Sequence, residues 1–210
     1  MKKNLPALAV ISAAILWSLD GYIRQNLFAL PSFLIISLEH VIGAIIFFPL
    51  LIKGWAEIYT LSQRGWISVL WISICGGVLG TFFYTKALSY VEYIDLSVVV
   101  LLQKLQPFFA IALAAIILRE KITKRFFILA LTAVVGGYLI TFGNNPIANW
   151  NDKTIIAALL ALLAAFSWGS STVLGKHALN QISFMTITAL RLTITAAITL
   201  FIIISNSQYE

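Results

Sequence analysis

Apolar residues fill the chain in long runs, and polar residues appear chiefly in the short gaps between them. Seven runs are long enough to cross a bilayer: Leu5–Tyr22, Phe33–Ile52, Trp66–Leu88, Ile94–Leu118, Phe126–Phe142, Thr154–Leu174 and Ser183–Ser205. At about 1.5 Å per residue each spans, with tilt, a hydrocarbon core of about 30 Å. In lipid the backbone must satisfy its own hydrogen bonds, which leaves helices or a closed barrel. Barrel strands alternate over about 10 residues, and these runs do not. The pattern predicts an all-α, polytopic transmembrane bundle. Lys2 and Lys3 ahead of span 1 resemble a signal peptide, but no small-residue cleavage site leads into a polar segment.

Composition agrees: 60% of the 210 residues are hydrophobic and 10% charged, and the mean hydropathy is +0.96. The net charge of +6 does not point to nucleic acid, because the cations sit in short loops. With the N-terminus in the cytoplasm, nine Lys and Arg fall inside (residues 2, 3, 53, 64, 119, 121, 124, 125 and 176) and three outside (24, 86 and 153). Positive residues favour the cytoplasmic side, so that orientation, in the plasma or inner membrane, is expected. Cys75 lies alone in an apolar run. No metal-ligand spacing, phosphate loop or nucleophile–base grouping appears, so neither cofactor nor enzyme chemistry is expected.

Part of the chain repeats. Residues 13–18 resemble 164–169, and 32–36 resemble 183–187, both at an offset of 151 residues. This pairs Trp17 with Trp168 and His40 with Arg191. Five spans separate the copies, and an odd number inverts the second. Inverted repeats are a signature of secondary transporters. Residues 1–143 would form one five-helix repeat and 154–210 the first two helices of another, part of a ten-helix chain of roughly 300 residues. The competing reading is a self-contained seven-helix receptor, scaffold or non-functional fragment. A retinal-type receptor wants a lysine in its last helix, and span 7 has Arg191 instead.

The stretches Phe82–Tyr90, Val98–Ala110 (with Gln103, Lys104, Gln106 and Pro107) and Leu118–Ile122 resemble the EamA-type drug/metabolite transporters, as do Trp17 and the segment Ser37–Ala44. The resemblance covers essentially the whole chain. It implies a ten-helix, two-repeat carrier of small organic solutes, often working outward, by alternating access. The related four-helix exporters carry a membrane-embedded acid in their first helix. Here the nearest acid, Asp20, falls near the outer end of span 1.

Ionisable residues inside a span mark functional sites by default. Lys104 falls roughly 15 Å into span 4, and Glu39 and His40 about 9 Å into span 2. Glu39 and Lys104 are expected to share one cavity and to pair or bind substrate charge. Arg191 in span 7 is a further candidate. Pro107 lacks an N–H and should kink span 4, freeing the Gln103 carbonyl beside Gln106. Trp17, Tyr84 and Trp168 could line the pathway, whereas Trp55, Trp66 and Trp150 read as interfacial anchors. Gly76 and Gly80, and Ala161, Ala165 and Gly169, predict close helix contacts. The expected partners are the lipid bilayer and a small-molecule substrate, with a homodimer as a candidate arrangement.

Overall fold

The computed structural model describes residues 5–27, 29–119, 123–142 and 151–205. Lys2, Lys3, Glu120, Lys121 and Trp150, read above as topology signals, a loop acid and an anchor, lie outside the described residues. The described chain is helical: α1 (Leu5–Gln25), α2 (Ser32–Lys53), α3 (Trp55–Tyr59), α4 (Gln63–Trp71), a π-helical stretch (Ile72–Leu79), α5 (Gly80–Leu88), α6 (Leu96–Gln103), α7 (Gln106–Ile117), α8 (Lys124–Phe142), α9 (Asp152–Leu179) and α10 (Phe184–Ser205). Among the described residues, six segments are long and apolar enough to cross a membrane: 6–24, 32–53, 63–88, 96–117, 152–179 and 184–205. They correspond to six of the seven expected spans. The seventh forms the 19-residue helix α8.

α9 is the mast of the bundle. Its Ala157, Ala161, Ala164 and Ala165 are completely buried, the first three clustered with Tyr84, Leu88 and Val99 of α5 and α6. Small side chains let these backbones approach closely, which is how helices gain contact where lipid removes the hydrophobic drive to associate. At Gly169 backbone approaches backbone. A Cβ there would meet the Gln106 carbonyl oxygen at 2.9 Å and the Ala110 nitrogen at 3.0 Å. α2 packs mainly against α10, and Leu51, Val69, Ile72 and Leu190 form a second core. Outward faces stay apolar, as at Ile45 and Ile204, where lipid is the solvent.

Span 3 departs from the regular helix its pattern predicts. Between Ile72 and Leu79 it widens into a π-helix around the pair Gly76-Gly77. Such stretches are rare and cluster at functional sites. Side chains from neighbouring helices bond two of its carbonyls. Trp168 Nε1 donates to Gly76 O at 2.9 Å, and Thr195 Oγ1 donates to Ser73 O at 3.1 Å. In a bilayer, backbone groups need such partners.

Span 4 breaks rather than kinks. α6 ends at Gln103, Lys104 and Leu105 make a turn, and α7 starts at Gln106 with Pro107 in its first turn. The missing N–H of Pro107 therefore falls where a helix has no internal acceptor anyway.

The loops sort to two ends. Ser62 N–H donates to Gln181 Oε1 at 2.9 Å, and Ser183 N–H donates to Glu57 Oε2 at 2.7 Å. Both contacts join connections that the charge count places on one face. At the other end, Lys153 Nζ donates to the Tyr93 hydroxyl at 2.7 Å.

Glu57 on α3 is exposed, and the Ser183 N–H, its strongest influence, holds its carboxyl below the usual carboxylate range. A carboxylate with a depressed folded pKa stabilises the fold above its unfolded pKa. That contribution is lost as pH falls through the folded value. Glu57→Gln is therefore expected to remove part of the acid sensitivity below about pH 4, read as a flatter dependence of unfolding temperature on pH.

Candidate functional site

A cavity of about 410 Å³ opens between α1, α2, the π-helical stretch, α5, α7, α9 and α10. It lies within the roughly 300–1,000 Å³ of small-molecule sites. Seven of the residues expected along the solute pathway line it: Trp17, Glu39, His40, Tyr84, Gln106, Trp168 and Arg191. Asp20, Arg24, Gly76, Thr81, Ser171 and Thr172 complete the wall.

One wall is aromatic. Trp17 and Trp168, the pair matched at the 151-residue offset, meet edge to face with centroids 6.2 Å apart. Tyr84 lies 5.4 Å from Trp168. The Trp168 indole is pinned by its bond to Gly76 O, and Gly80 makes room for it.

A second wall is an ion cluster that the sequence reading did not assemble. The buried Arg24 guanidinium donates from Nε to Asp20 at 2.8 Å, from Nη2 to Glu39 at 2.7 Å and from Nη1 to Thr85 Oγ1 at 3.0 Å. It ties α1 to α2 and α5. The expected pairing of Glu39 with Lys104 is thus replaced by Glu39 with Arg24. Arg24 lay just past the last apolar residue of span 1 and read as a loop cation. α1 runs on to Gln25 and carries it inward. The signal available was the opposite-charge spacing Asp20–Arg24 at i, i+4 on one helical face.

Lys104 is exposed at the break in span 4 and does not line the cavity. Its ammonium lies 5.3 Å from the centroid of Trp17, on whose ring it rests. Gln103 is buried beside the cavity, its Nε2 3.5 Å from Gln106 Oε1. Gly76, Gly80 and Gly169 are all close-approach points: a Cβ would meet Ser171 Oγ at 2.7 Å, Trp168 Nε1 at 2.6 Å and the α7 backbone respectively.

His40 is buried, and its Nδ1 lies 2.9 Å from Ile36 O. A carbonyl only accepts, so Nδ1 carries a proton, and in the neutral ring Nε2 is the acceptor. Arg191 also lines the cavity and, among the described residues, has no hydrogen-bond or ion-pair partner. Glu39 is the carboxylate whose charge acts on it.

Membrane-crossing helices around a polar, aromatic-walled cavity describe a carrier of small metabolites. The sequence pattern of the EamA-like transporter family matches residues 4–142 and 155–208, and the chain belongs to that family. It is 38% identical over 206 residues to the riboflavin transporter ImpX of Fusobacterium nucleatum subsp. nucleatum, covering 97% of this chain and 69% of that protein. It is 26% identical over 148 residues to a riboflavin transporter of Brucella anthropi, covering 70% of this chain and 48% of that protein. No solved structure matches.

Proposed function

We propose that this chain moves a flavin-class metabolite across the cell membrane by alternating access, with the cavity around Trp17, Trp168 and Arg191 as the solute site. The observation that carries the reading is the pairing of an aromatic wall with polar and charged groups in one cavity among the membrane-crossing helices. A fused, planar ring with a polar edge stacks on the first and hydrogen-bonds to the second. The names of two relatives point to the same solute.

Alternating access rests on the repeat. Residues 1–143 and 154–210 are proposed as inverted copies, and the matched tryptophans would then face each other across the axis relating them. A cytoplasmic N-terminus follows from the distribution of Lys and Arg in the loops, and outward flux follows the tendency of similar carriers.

The test is riboflavin movement in proteoliposomes holding the purified protein. Wild type should exchange riboflavin faster than empty vesicles, and Trp168→Ala should slow exchange roughly tenfold, as loss of one well-placed aromatic stack allows. Loading the vesicles from either side reads the direction. Exchange no faster than in empty vesicles would remove the proposal.

A further inference from the structure

We infer that Arg191 and His40 together form a subsite that reads a carbonyl-and-imide edge of the transported ring, Arg191 donating to the carbonyl and His40 Nε2 accepting the imide N–H. The inference rests on the flavin reading above and adds to it the part of the ring that is recognised and the residues that recognise it.

Two guanidiniums, of Arg24 and Arg191, share one cavity. Each offers five N–H donors. Arg24 bonds through Nε, Nη1 and Nη2 to two carboxylates and a threonine. Arg191 bonds to nothing among the described residues, although it lines the same cavity. It stands eighth along the 22-residue helix α10, roughly 10 Å from that helix's start. A cation at such depth without a bonded counter-charge is costly, and such residues face solute pathways rather than lipid. Arg24 is thus occupied in holding helices together, and Arg191 is the cavity cation with free donors.

His40 supplies the complement. Its Nδ1–H is committed to the Ile36 carbonyl, which in the neutral ring leaves Nε2 as the acceptor of a residue that lines the cavity. It lines the same cavity as Arg191. A guanidinium donor beside an imidazole acceptor matches an edge that alternates C=O and N–H. The pyrimidine-dione end of a flavin ring is such an edge, while Trp17, Tyr84 and Trp168 offer faces to the apolar rings. Glu39, half-exposed and already accepting from Arg24, keeps the site near electrical neutrality. That favours a neutral imide over a phosphate.

The experiment is equilibrium binding to the purified full chain in lipid nanodiscs, followed by quenching of flavin fluorescence, with three probes: riboflavin, N3-methylriboflavin and riboflavin 5′-phosphate. Wild type is expected to bind riboflavin roughly tenfold or more tighter than the N3-methyl compound, because blocking the imide leaves His40 without its donor. His40→Leu should weaken riboflavin binding and abolish that discrimination. Arg191→Met should weaken both ring compounds by roughly tenfold or more, with Arg191→Lys in between. Equal wild-type affinity for riboflavin and its N3-methyl form overturns the inference while leaving flavin transport standing, and needs no variant to fold. Tighter binding of the phosphate that disappears in Arg191→Met also overturns it, assigning Arg191 to an anion. Failure of wild type to bind any flavin removes the flavin reading and this inference with it.

Discussion

Arg24→Met is expected to destabilise the folded chain by roughly 2–3 kcal/mol and to abolish most transport. The substitution keeps an unbranched apolar stem and removes the charge. Asp20 and Glu39, 2.8 and 2.7 Å from the guanidinium, would be left as two carboxylates without a cation between them. Removing one partner of a buried ion pair costs more than the pair contributed, because the remaining charge stays desolvated. The figure falls below the roughly 3–5 kcal/mol of a fully buried pair, since the Asp20 and Glu39 side chains keep 34% and 46% of their exposure. Arg24→Lys keeps the charge, but one ammonium cannot serve two carboxylates and Thr85 in the planar fork that Arg24 uses. It should fall between wild type and Arg24→Met. Unfolding in lipid by heat or graded detergent, with riboflavin exchange on the same preparations, checks both parts. Unchanged stability in Arg24→Met would mean that the cluster does not hold α1 to α2 and α5.

The second large effect is expected at Gly80. A Cβ there would stand 2.6 Å from both Cδ1 and Nε1 of Trp168 and 2.9 Å from the Cys75 carbonyl oxygen. The backbone oxygen cannot yield, so the indole must. Gly80→Val should push Trp168 off the Gly76 carbonyl, to which it donates at 2.9 Å, and leave that carbonyl without its partner. Overpacking of about 1–3 kcal/mol and an orphaned acceptor of about 1–3 kcal/mol together place the loss near 3 kcal/mol. The same displacement dismantles the aromatic wall, so riboflavin exchange should fall at least as far as in Trp168→Ala. A Gly80→Val protein with native stability and exchange would show that the indole has another seat.

These two residues also mark what sequence reading could and could not reach. The spans were legible because lipid imposes one requirement on every residue facing it, and long apolar runs meet that requirement visibly. Glu39, His40 and Arg191 stood out for the same reason: an ionisable group within such a run needs a cause. Trp17 and Trp168 stood out because they repeat at one offset. What a run cannot reveal is which groups meet across helices. Glu39 reads alone as a candidate partner for any nearby cation, and Lys104 lies as deep along its span as a partner should. The choice of Arg24 depends on α1 extending a few residues past its last apolar position and on Asp20 lying one turn before it. The exposure of Lys104 depends on span 4 breaking before Pro107, where the proline caps a new helix instead of bending an old one. The π-helical stretch was hidden because its cause lies partly elsewhere. Gly76 and Gly77 permit the widened turns, but Trp168 and Thr195, on other helices, bond two of its carbonyls.

The central claim is that the cavity walled by Trp17, Trp168 and the Arg24 cluster is where the solute sits during transport. Thr172 lines that cavity and is exposed. The most direct measurement places a thiol there, as Thr172→Cys in a Cys75→Ala background, and follows its alkylation by a membrane-impermeant maleimide in vesicles, with and without riboflavin. The account predicts that riboflavin slows the alkylation at concentrations that saturate exchange. Alkylation at the same rate with and without riboflavin, in vesicles that still exchange it, would place the solute elsewhere and contradict the account.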